Sequence, residues 1–143
     1  MAADARAGTI LQQLAAQGYR HTSTRSAIAE AIAARSLPFT ARELVDELAP
    51  RGIGRASVFR ALDLLVQTGL LERLHGDVQC HRYTYCVPEH HHHLVCTTCG
   101  QVITMVAGAV ERALRSVARE AHFQPTGHHI DVYGTCRACQ SQT

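Results

Sequence analysis

Two Cys-x-x-Cys pairs, Cys96/Cys99 and Cys136/Cys139, constrain the fold of this chain more than any other feature. Each pair can lie on a tight turn that directs both sulfur atoms at one ion, so that two pairs complete a closed tetrahedral zinc site. Redox pairs and buried, inert thiols are the alternatives. The N-terminal residues lack the apolar block of a signal peptide, and thiols in the reducing cytoplasm bind metals more often than they form disulfides. We therefore expect a cytoplasmic protein with a structural zinc site.

A run of four histidines at residues 90–93 leads directly into the first of these pairs. Successive side chains of an extended strand point to opposite faces, so we expect His90 and His92 on one face and His91 and His93 on the other. One short run can therefore supply two metal sites. A solvated polar strand is the alternative, but adjacent neutral imidazoles beside a zinc knuckle favour metal binding.

The remaining ligands of these two sites can be chosen by their chemistry. A thiolate and a carboxylate could complete a mixed site that joins the two halves of the chain, consisting of Glu72, Cys86, His91 and His93. On the opposite face, a helix glutamate and a strand histidine could complete a second set of His90, His92, Glu111 and His128. Both sets suit zinc.

The first 86 residues have the pattern of short helices followed by a hairpin. The helices are expected at residues 5–17, from about 23 to before Pro38, from the capping-box pair Thr40 and Glu43 to residues 50–52, and at 55–67. The hairpin is expected at residues 70–85, with its turn at Gly76-Asp77. This order is typical of a winged helix-turn-helix domain, in which one helix enters the major groove of DNA. A small α+β domain without a ligand is the alternative.

The C-terminal residues are expected to form a small α/β unit, with strands at 92–96, 101–106 and 128–135 and a helix at 107–121. About fifty residues bury little apolar surface, so the unit needs a metal, a partner chain or both. An edge strand at 128–135 favours a homodimer. The expected fold class is therefore α+β, with a winged-helix DNA-binding domain at 1–86, a hinge at 87–89 and a metal-binding dimerisation domain at 90–143.

Charge and hydropathy give weaker indications. The net charge of +2 is too small to indicate nucleic-acid binding by itself, although the excess of arginine over acidic residues lies in the N-terminal part. Apolar runs stay well short of the roughly 20 residues that cross a bilayer, so we expect no membrane partner.

Several motifs together resemble the ferric uptake regulator family and, within it, the zinc uptake regulator branch. They are the segment from Gly54 to Leu62, Gly69-Leu70, the cysteine before the histidines, the block from His90 to Gly100, Val110-Glu111, and the end from His128 through Cys136 to Cys139. The resemblance covers nearly the whole chain. It implies a dimeric repressor in which a structural zinc holds the dimerisation domain, while regulatory metal at the hinge closes the DNA-binding domains onto double-stranded, A/T-rich operator DNA.

Carried over by position, the resemblance also implies a role for individual residues. The structural set is Cys96, Cys99, Cys136 and Cys139, the hinge sensor is Glu72, Cys86, His91 and His93, the accessory site is His90, His92, Glu111 and His128, and the DNA contacts are Arg20, Ser57, Phe59 and Arg60. Arginine suits a narrow, A/T-rich minor groove, which is the place that the resemblance implies for Arg20.

The chain departs from the family pattern at three places. Phe59 stands where the family usually has tyrosine, so an apolar contact to a thymine methyl is kept and a hydroxyl contact is lost. Residues 37–39 lack the histidine that iron sensors usually carry there, and a soft thiolate at Cys86 favours zinc over iron or manganese. The spacing around the hairpin at 70–85 leaves Cys80 or His81 as a possible substitute for the hinge ligand Glu72 or Cys86.

These observations predict a zinc-responsive repressor of zinc uptake genes that is not an enzyme. A family member that senses iron, manganese, nickel or peroxide is the first alternative. A zinc hydrolase with Glu111 as its base is another, but catalytic zinc needs an open coordination position, whereas each set above has four protein ligands. A zinc-stapled interaction module is the third, and it would show no salt-dependent DNA binding.

Overall fold

The computed structural model describes residues 2–74, 81–86, 90–106 and 108–142. The expected hairpin turn at Gly76-Asp77, Cys80, the expected hinge at 87–89 and the expected first helix residue, Ala107, lie outside the described residues. The chain divides into two compact units, Met1–Pro88 and Glu89–Thr143, which we call the N-terminal and the C-terminal unit. Within the described ranges, no helix combines the length and the apolar composition that a bilayer span requires.

The N-terminal unit consists of helices followed by a small antiparallel sheet. Its elements are α1 (Ala2–Ala16), α2 (Ser23–Ala33), β1 (Phe39–Thr40), α3 (Ala41–Leu48), a 3-10 turn (Ala49–Arg51), α4 (Arg55–Gln67), β2 (Leu71–Leu74) and β3 (Arg82–Tyr85). The strands lie in the order β1-β3-β2, and both pairs are antiparallel. The winged helix-turn-helix arrangement expected from the sequence is confirmed.

Local signals set the ends of these helices. The Thr22 hydroxyl accepts a hydrogen bond of 3.2 Å from the Arg25 N–H and caps α2. Thr40 and Glu43 form the expected capping box at the start of α3. Gly69 follows α4 with a φ of 77°, a left-handed conformation that glycine adopts without strain. Helix α4 has the bounds expected from the sequence. Helix α1 begins at residue 2, three residues before its expected start at residue 5.

One face of each helix packs with the sheet in a continuous apolar core. Its members include Ile10, Leu14, Ile28, Ile32, Phe39, Leu44, Leu48, Val58, Leu62, Leu65, Leu70, Leu71 and Tyr83. The Phe39 ring of β1 stacks on the Tyr83 ring of β3 with centroids 5.9 Å apart. An ion pair of 2.8 Å between Asp63 and Arg73 connects α4 to β2. Because one face of α4 is packed in this core, its opposite face is directed toward solvent.

The C-terminal unit has a mixed three-stranded sheet. Its elements are β4 (His91–Cys96), β5 (Val102–Val106), α5 (Ala109–Glu120), β6 (Asp131–Gly134) and α6 (Arg137–Gln140). The strand order is β5-β4-β6, with β4 antiparallel to β5 and parallel to β6. The last strand was expected to begin at His128, but it begins at Asp131, because the ladder with β4 runs only from His93↔Asp131 to Cys96↔Gly134.

The buried residues of this unit are unusual. Among the described residues of the C-terminal unit, those buried as whole residues are Cys96, His92 and His93, and none is aliphatic. Several of its large apolar side chains are exposed instead, namely Ile103, Leu114, Val117, Phe123, Val132 and Tyr133. A unit with this distribution lacks the apolar burial that stabilises a fold in one chain. The residues buried where an apolar core would usually lie are cysteine and histidine, which are types that can bind metals.

Candidate metal centres and nucleic-acid interface

The four cysteines of the two Cys-x-x-Cys pairs lie together, and their sulfur atoms are all within 4.8 Å of one another. Two backbone turns position them. In the first, the Gly100 N–H donates to the Cys96 carbonyl at 2.9 Å, and Gly100 has a φ of 76°. In the second, Cys136 caps the short helix α6, and the N–H of Cys139 donates to its carbonyl at 3.0 Å. The turns are joined where the Thr97 N–H donates to the Gly134 carbonyl at 2.8 Å.

The geometry of this cluster fits zinc. The sulfur atoms of Cys99 and Cys136 are 3.8 Å apart. Four thiolates around a tetrahedral ion with bonds of about 2.3 Å would be about 3.8 Å from each other. The residues present therefore match a closed four-thiolate site.

The pKa values of two of these thiols also indicate that the cluster needs a cation. Hydrogen bonds from the backbone N–H groups of Cys136 and then Cys99 lower the pKa of the Cys96 thiol to about 6. The side-chain hydrogen bond with Cys136, followed by burial, raises the pKa of Cys139 to about 12. The Cys139 thiol therefore becomes a thiolate at neutral pH only beside a positive ion.

A second cluster forms around Glu111, which lies in the first turn of α5. Its Oε1 atom is 2.9 Å from His90 Nε2, 2.7 Å from His92 Nε2 and 2.8 Å from His128 Nε2. The Nε2 atoms of His90 and His128 are also only 3.0 Å apart. Tetrahedral zinc with bonds of about 2.0–2.2 Å would hold such ligand atoms about 3.4 Å apart, so a small expansion of this cluster accommodates the ion.

The charge of Glu111 is set by the same contacts. Burial raises the pKa of its carboxyl, but the hydrogen bonds from His92, His90 and His128 outweigh burial and lower the pKa to about 2. The carboxylate is therefore ionised at neutral pH. Three imidazoles and one carboxylate form a set that binds zinc well.

The expected hinge ligands occur as one pair in each unit. In the N-terminal unit, the Cys86 thiol is buried and lies 3.5 Å from Glu72 Oε2. In the C-terminal unit, the His91 and His93 rings lie edge to face on β4, with centroids 4.8 Å apart. His81 is exposed just before β3, and Cys80 lies outside the described residues.

One polar contact was not anticipated from the sequence. Nδ1 of His93 lies 3.2 Å from Asp131 Oδ1, and the Asp131 side chain is only 7% exposed. The two residues are directly opposite each other in the parallel ladder of β4 and β6. The signal that could have revealed it is a single carboxylate within the otherwise apolar stretch from Ile130 to Tyr133.

The solvent-facing side of α4 carries the residues expected to contact DNA. Arg60 is exposed and its guanidinium donates to the Ser57 hydroxyl at 3.4 Å, while Ser57 and Phe59 are half-buried. Arg55, which the sequence analysis did not single out, lies on the same helix with its guanidinium 5.0 Å from the centre of the Phe59 ring. The first half of α4 thus carries two exposed cations, Arg55 and Arg60, and one half-buried aromatic ring.

Arg20 is exposed in the turn between α1 and α2. The turn is well fixed, because Gly18 has a φ of 86° and the Tyr19 N–H donates to the Leu14 carbonyl at 3.0 Å. The Arg25 guanidinium donates to the Arg20 carbonyl and lies over the Tyr19 ring. The backbone of Arg20 is therefore anchored while its side chain is open to solvent.

Known proteins resemble the chain over most of its length. A zinc uptake regulation protein of Mycobacterium tuberculosis is 38% identical over 130 residues, which cover 90% of this chain and 100% of that relative. The crystal structure of the Vibrio cholerae ferric uptake regulator has a TM-score of 0.64 at 30% identity and covers 87% of this chain and 98% of that one.

A zinc uptake regulator solved in complex with zinc and DNA has a TM-score of 0.81 at 23% identity, covering 99% of this chain and 97% of that one. At that level of identity the likeness concerns the fold. The family model described as the ferric uptake regulator family matches residues 16–133. With this match and a relative that is 38% identical over its whole length, the chain belongs to the ferric uptake regulator family.

Proposed function

We propose that this protein is a zinc-responsive transcriptional repressor that binds operator DNA as a homodimer and controls genes of zinc uptake and homeostasis. The observation that carries this proposal is the chemistry of the candidate ligands, which are thiols, imidazoles and single carboxylates, in a protein with a winged helix. Ligands of this kind select zinc, whereas magnesium, calcium and manganese select oxygen. A DNA-binding repressor of bacterial genes works in the cytoplasm, so we propose that location as well.

The structural site consists of Cys96, Cys99, Cys136 and Cys139. Zinc held by four thiolates contributes folding free energy, about 10–16 kcal/mol in zinc-finger peptides. With zinc bound, the cysteines would cross-link the end of β4 to the start of α6. This cross-link matters because no aliphatic side chain is buried among the described residues of the C-terminal unit. This site serves stability and not sensing.

The regulatory site consists of Glu72, Cys86, His91 and His93. Support comes from the contact of Cys86 with Glu72 on one side of residues 87–89 and from the pairing of His91 with His93 on the other. Because its ligands come from two units, the bound state restricts the angle between them. The resulting gain in DNA affinity is limited by the difference in zinc affinity between the restricted and the free arrangement.

An accessory site consists of His90, His92, Glu111 and His128. All of its ligands belong to the C-terminal unit, so we assign it to the stability of that unit and of the dimer. Glu111 accepts three hydrogen bonds and its side chain is largely buried, which leaves it poorly suited to act as the base of a hydrolase.

We assign the DNA-binding face to Arg20, Ser57, Phe59 and Arg60. We add Arg55 because its guanidinium lies over the Phe59 ring. Arg60 and Ser57 can donate to base edges or phosphates in the major groove, and Phe59 offers an apolar edge to a thymine methyl. Arg20, on its anchored turn, suits an A/T-rich minor groove.

A direct test uses the full-length protein and a random-sequence duplex library, with free zinc held at defined concentrations by a chelator. We expect selection of a pseudo-palindromic, A/T-rich duplex, and tighter binding of it as free zinc rises. Iron(II), manganese(II) and nickel(II) serve as the comparison metals on the same duplex. Equal or stronger activation by one of them would assign the protein to another branch of the family, and absence of metal-dependent binding would refute the proposal.

A further inference from the structure

Two neighbouring histidines of β4 are both buried but differ in the partner of their Nδ1 atom. His92 and His93 are each 1% exposed. His93 Nδ1 lies 3.2 Å from Asp131 Oδ1. His92 Nδ1 has no hydrogen-bond partner among the described residues, although its Nε2 contacts Glu111. Before any metal binds, the two imidazoles therefore differ in what their Nδ1 atoms contact.

The contact with Asp131 fixes the tautomer of His93. A carboxylate oxygen only accepts hydrogen bonds, so the proton of the neutral imidazole lies on Nδ1 and the Nε2 lone pair remains available to a cation. A histidine ligand that donates its second N–H to a carboxylate holds its orientation and binds metal more tightly.

The strand ladder holds this pair in place. His93 and Asp131 are paired residues of β4 and β6, and the His93 N–H also donates to the Ile130 carbonyl at 3.2 Å. The Asp131 side chain is only 7% exposed, and a carboxylate is rarely buried to this extent without a partner that favours its charge. The arrangement costs desolvation energy that an apolar residue would not, which points to a role other than stability.

We propose that Asp131 is a positioning residue for the regulatory metal site, which selects the metal-binding tautomer of His93 and sets the zinc concentration at which the repressor responds. This inference rests on the proposed function, because it takes His93 as a regulatory ligand. His92 of the accessory site has no described partner at Nδ1, so Asp131 acts on the regulatory histidine and not on its buried neighbour.

The first measurement is the tautomer of His93, which does not depend on function. Full-length protein with its structural zinc retained and the regulatory metal removed by a chelator is labelled with nitrogen-15 on histidine. Long-range proton–nitrogen correlation spectra report which ring nitrogen carries the proton, and His93→Gln assigns the signal. We expect the Nδ1–H tautomer in the wild type and a shift toward Nε2–H in Asp131→Ala. An Nε2–H signal for His93 in the wild type would overturn the proposal.

The second measurement is zinc affinity and zinc-dependent DNA binding of the same variants. Asp131→Ala should weaken the regulatory site by about 10–100-fold and move the midpoint of DNA binding to higher free zinc by the same factor, with the structural zinc still bound. Asp131→Asn, which keeps an acceptor oxygen without the charge, should lose less. Glu120→Gln removes one exposed carboxylate from the same unit and should behave as the wild type.

The outcomes separate this inference from the proposed function. If wild-type DNA binding does not respond to zinc, the proposed function fails. If the wild type responds and Asp131→Ala has an unchanged midpoint, Asp131 is not a positioning residue. Should Asp131→Ala lose its structural zinc or its circular dichroism signal, the tautomer of His93 in the wild type decides, and Nε2–H there refutes the proposal.

Discussion

The sulfur atoms of Cys99 and Cys136 lie 3.8 Å apart, although one belongs to the turn after β4 and the other to the cap of α6. This contact joins the beginning and the end of the C-terminal unit. The buried residues described in that unit are one cysteine and two histidines, and none is aliphatic. We therefore infer that metal held by the two Cys-x-x-Cys turns stabilises the unit in place of an apolar core.

From this we predict that Cys136→Ser abolishes the folded C-terminal unit, because three thiolates bind zinc more weakly than four and the unit has little apolar burial to compensate. The N-terminal unit, which has its own core, should stay folded. Bound zinc, near-ultraviolet circular dichroism and limited proteolysis on one preparation would measure this. Ser141→Ala, a change next to α6 outside the cluster, is the control. A Cys136→Ser protein that resists proteolysis throughout would contradict the assignment.

A different result is expected for Cys86→Ala, because its thiol belongs to the mixed set and not to the closed one. The variant should fold, remain dimeric and keep its structural zinc, but its DNA affinity should no longer rise when zinc is added. Zinc stoichiometry and gel shifts at buffered free zinc provide the measurement. If Cys86→Ala responds normally whereas His90→Ala or His128→Ala does not, the regulatory site is on the other face of β4.

Much of the N-terminal unit could be predicted because its signals are local. The capping box of Thr40 and Glu43 lies within one turn of helix, and the apolar spacing from Arg55 to Gln67 continues until Gly69 ends it. The two cysteine pairs and the two faces of the histidine run were also accessible, since cysteine spacing and the alternation of a strand group these residues without tertiary information.

What could not be predicted depends on contacts between distant segments. The start of β6 at Asp131 and the contact of Asp131 with His93 follow from the register of β6 against β4, which no local pattern encodes. The short elements β1 and α6, with two and four residues, contain less than one period of any hydrophobic pattern. Arg55 was missed because its proximity to Phe59 appears only once the helix is built.

The exposed arginines of the N-terminal unit should separate base reading in the major groove from the electrostatic contribution of a minor-groove contact. Arg60→Ala should weaken binding of the selected duplex by about 1–3 kcal/mol and relax sequence preference at one position of each half-site. Arg20→Ala should weaken binding and lower the slope of log affinity against log salt by about one. Arg119→Ala, an exposed arginine on α5, is the charge-matched control. Unchanged affinity and slope in both test variants would refute the assigned face.

The apolar side chains left exposed on α5 and β6 lead to the last prediction. Val117 is 63% exposed and Val132 is 47% exposed, in a unit whose described buried residues include no aliphatic side chain. Such a surface is stable when a second copy covers it, and a charge placed there would be buried without a partner. We therefore expect the wild type to sediment as a dimer at micromolar concentration with zinc present, and Val117→Asp to sediment as a monomer that keeps its structural zinc. The monomer should also lose most of its affinity for a two-half-site duplex, because the second half-site is no longer bound by a linked unit. Leu37→Asp, at a position that is 50% exposed in the N-terminal unit, controls for loss of a surface apolar group and should remain dimeric. Sedimentation of Val117→Asp as a dimer would show that this face is not the interface.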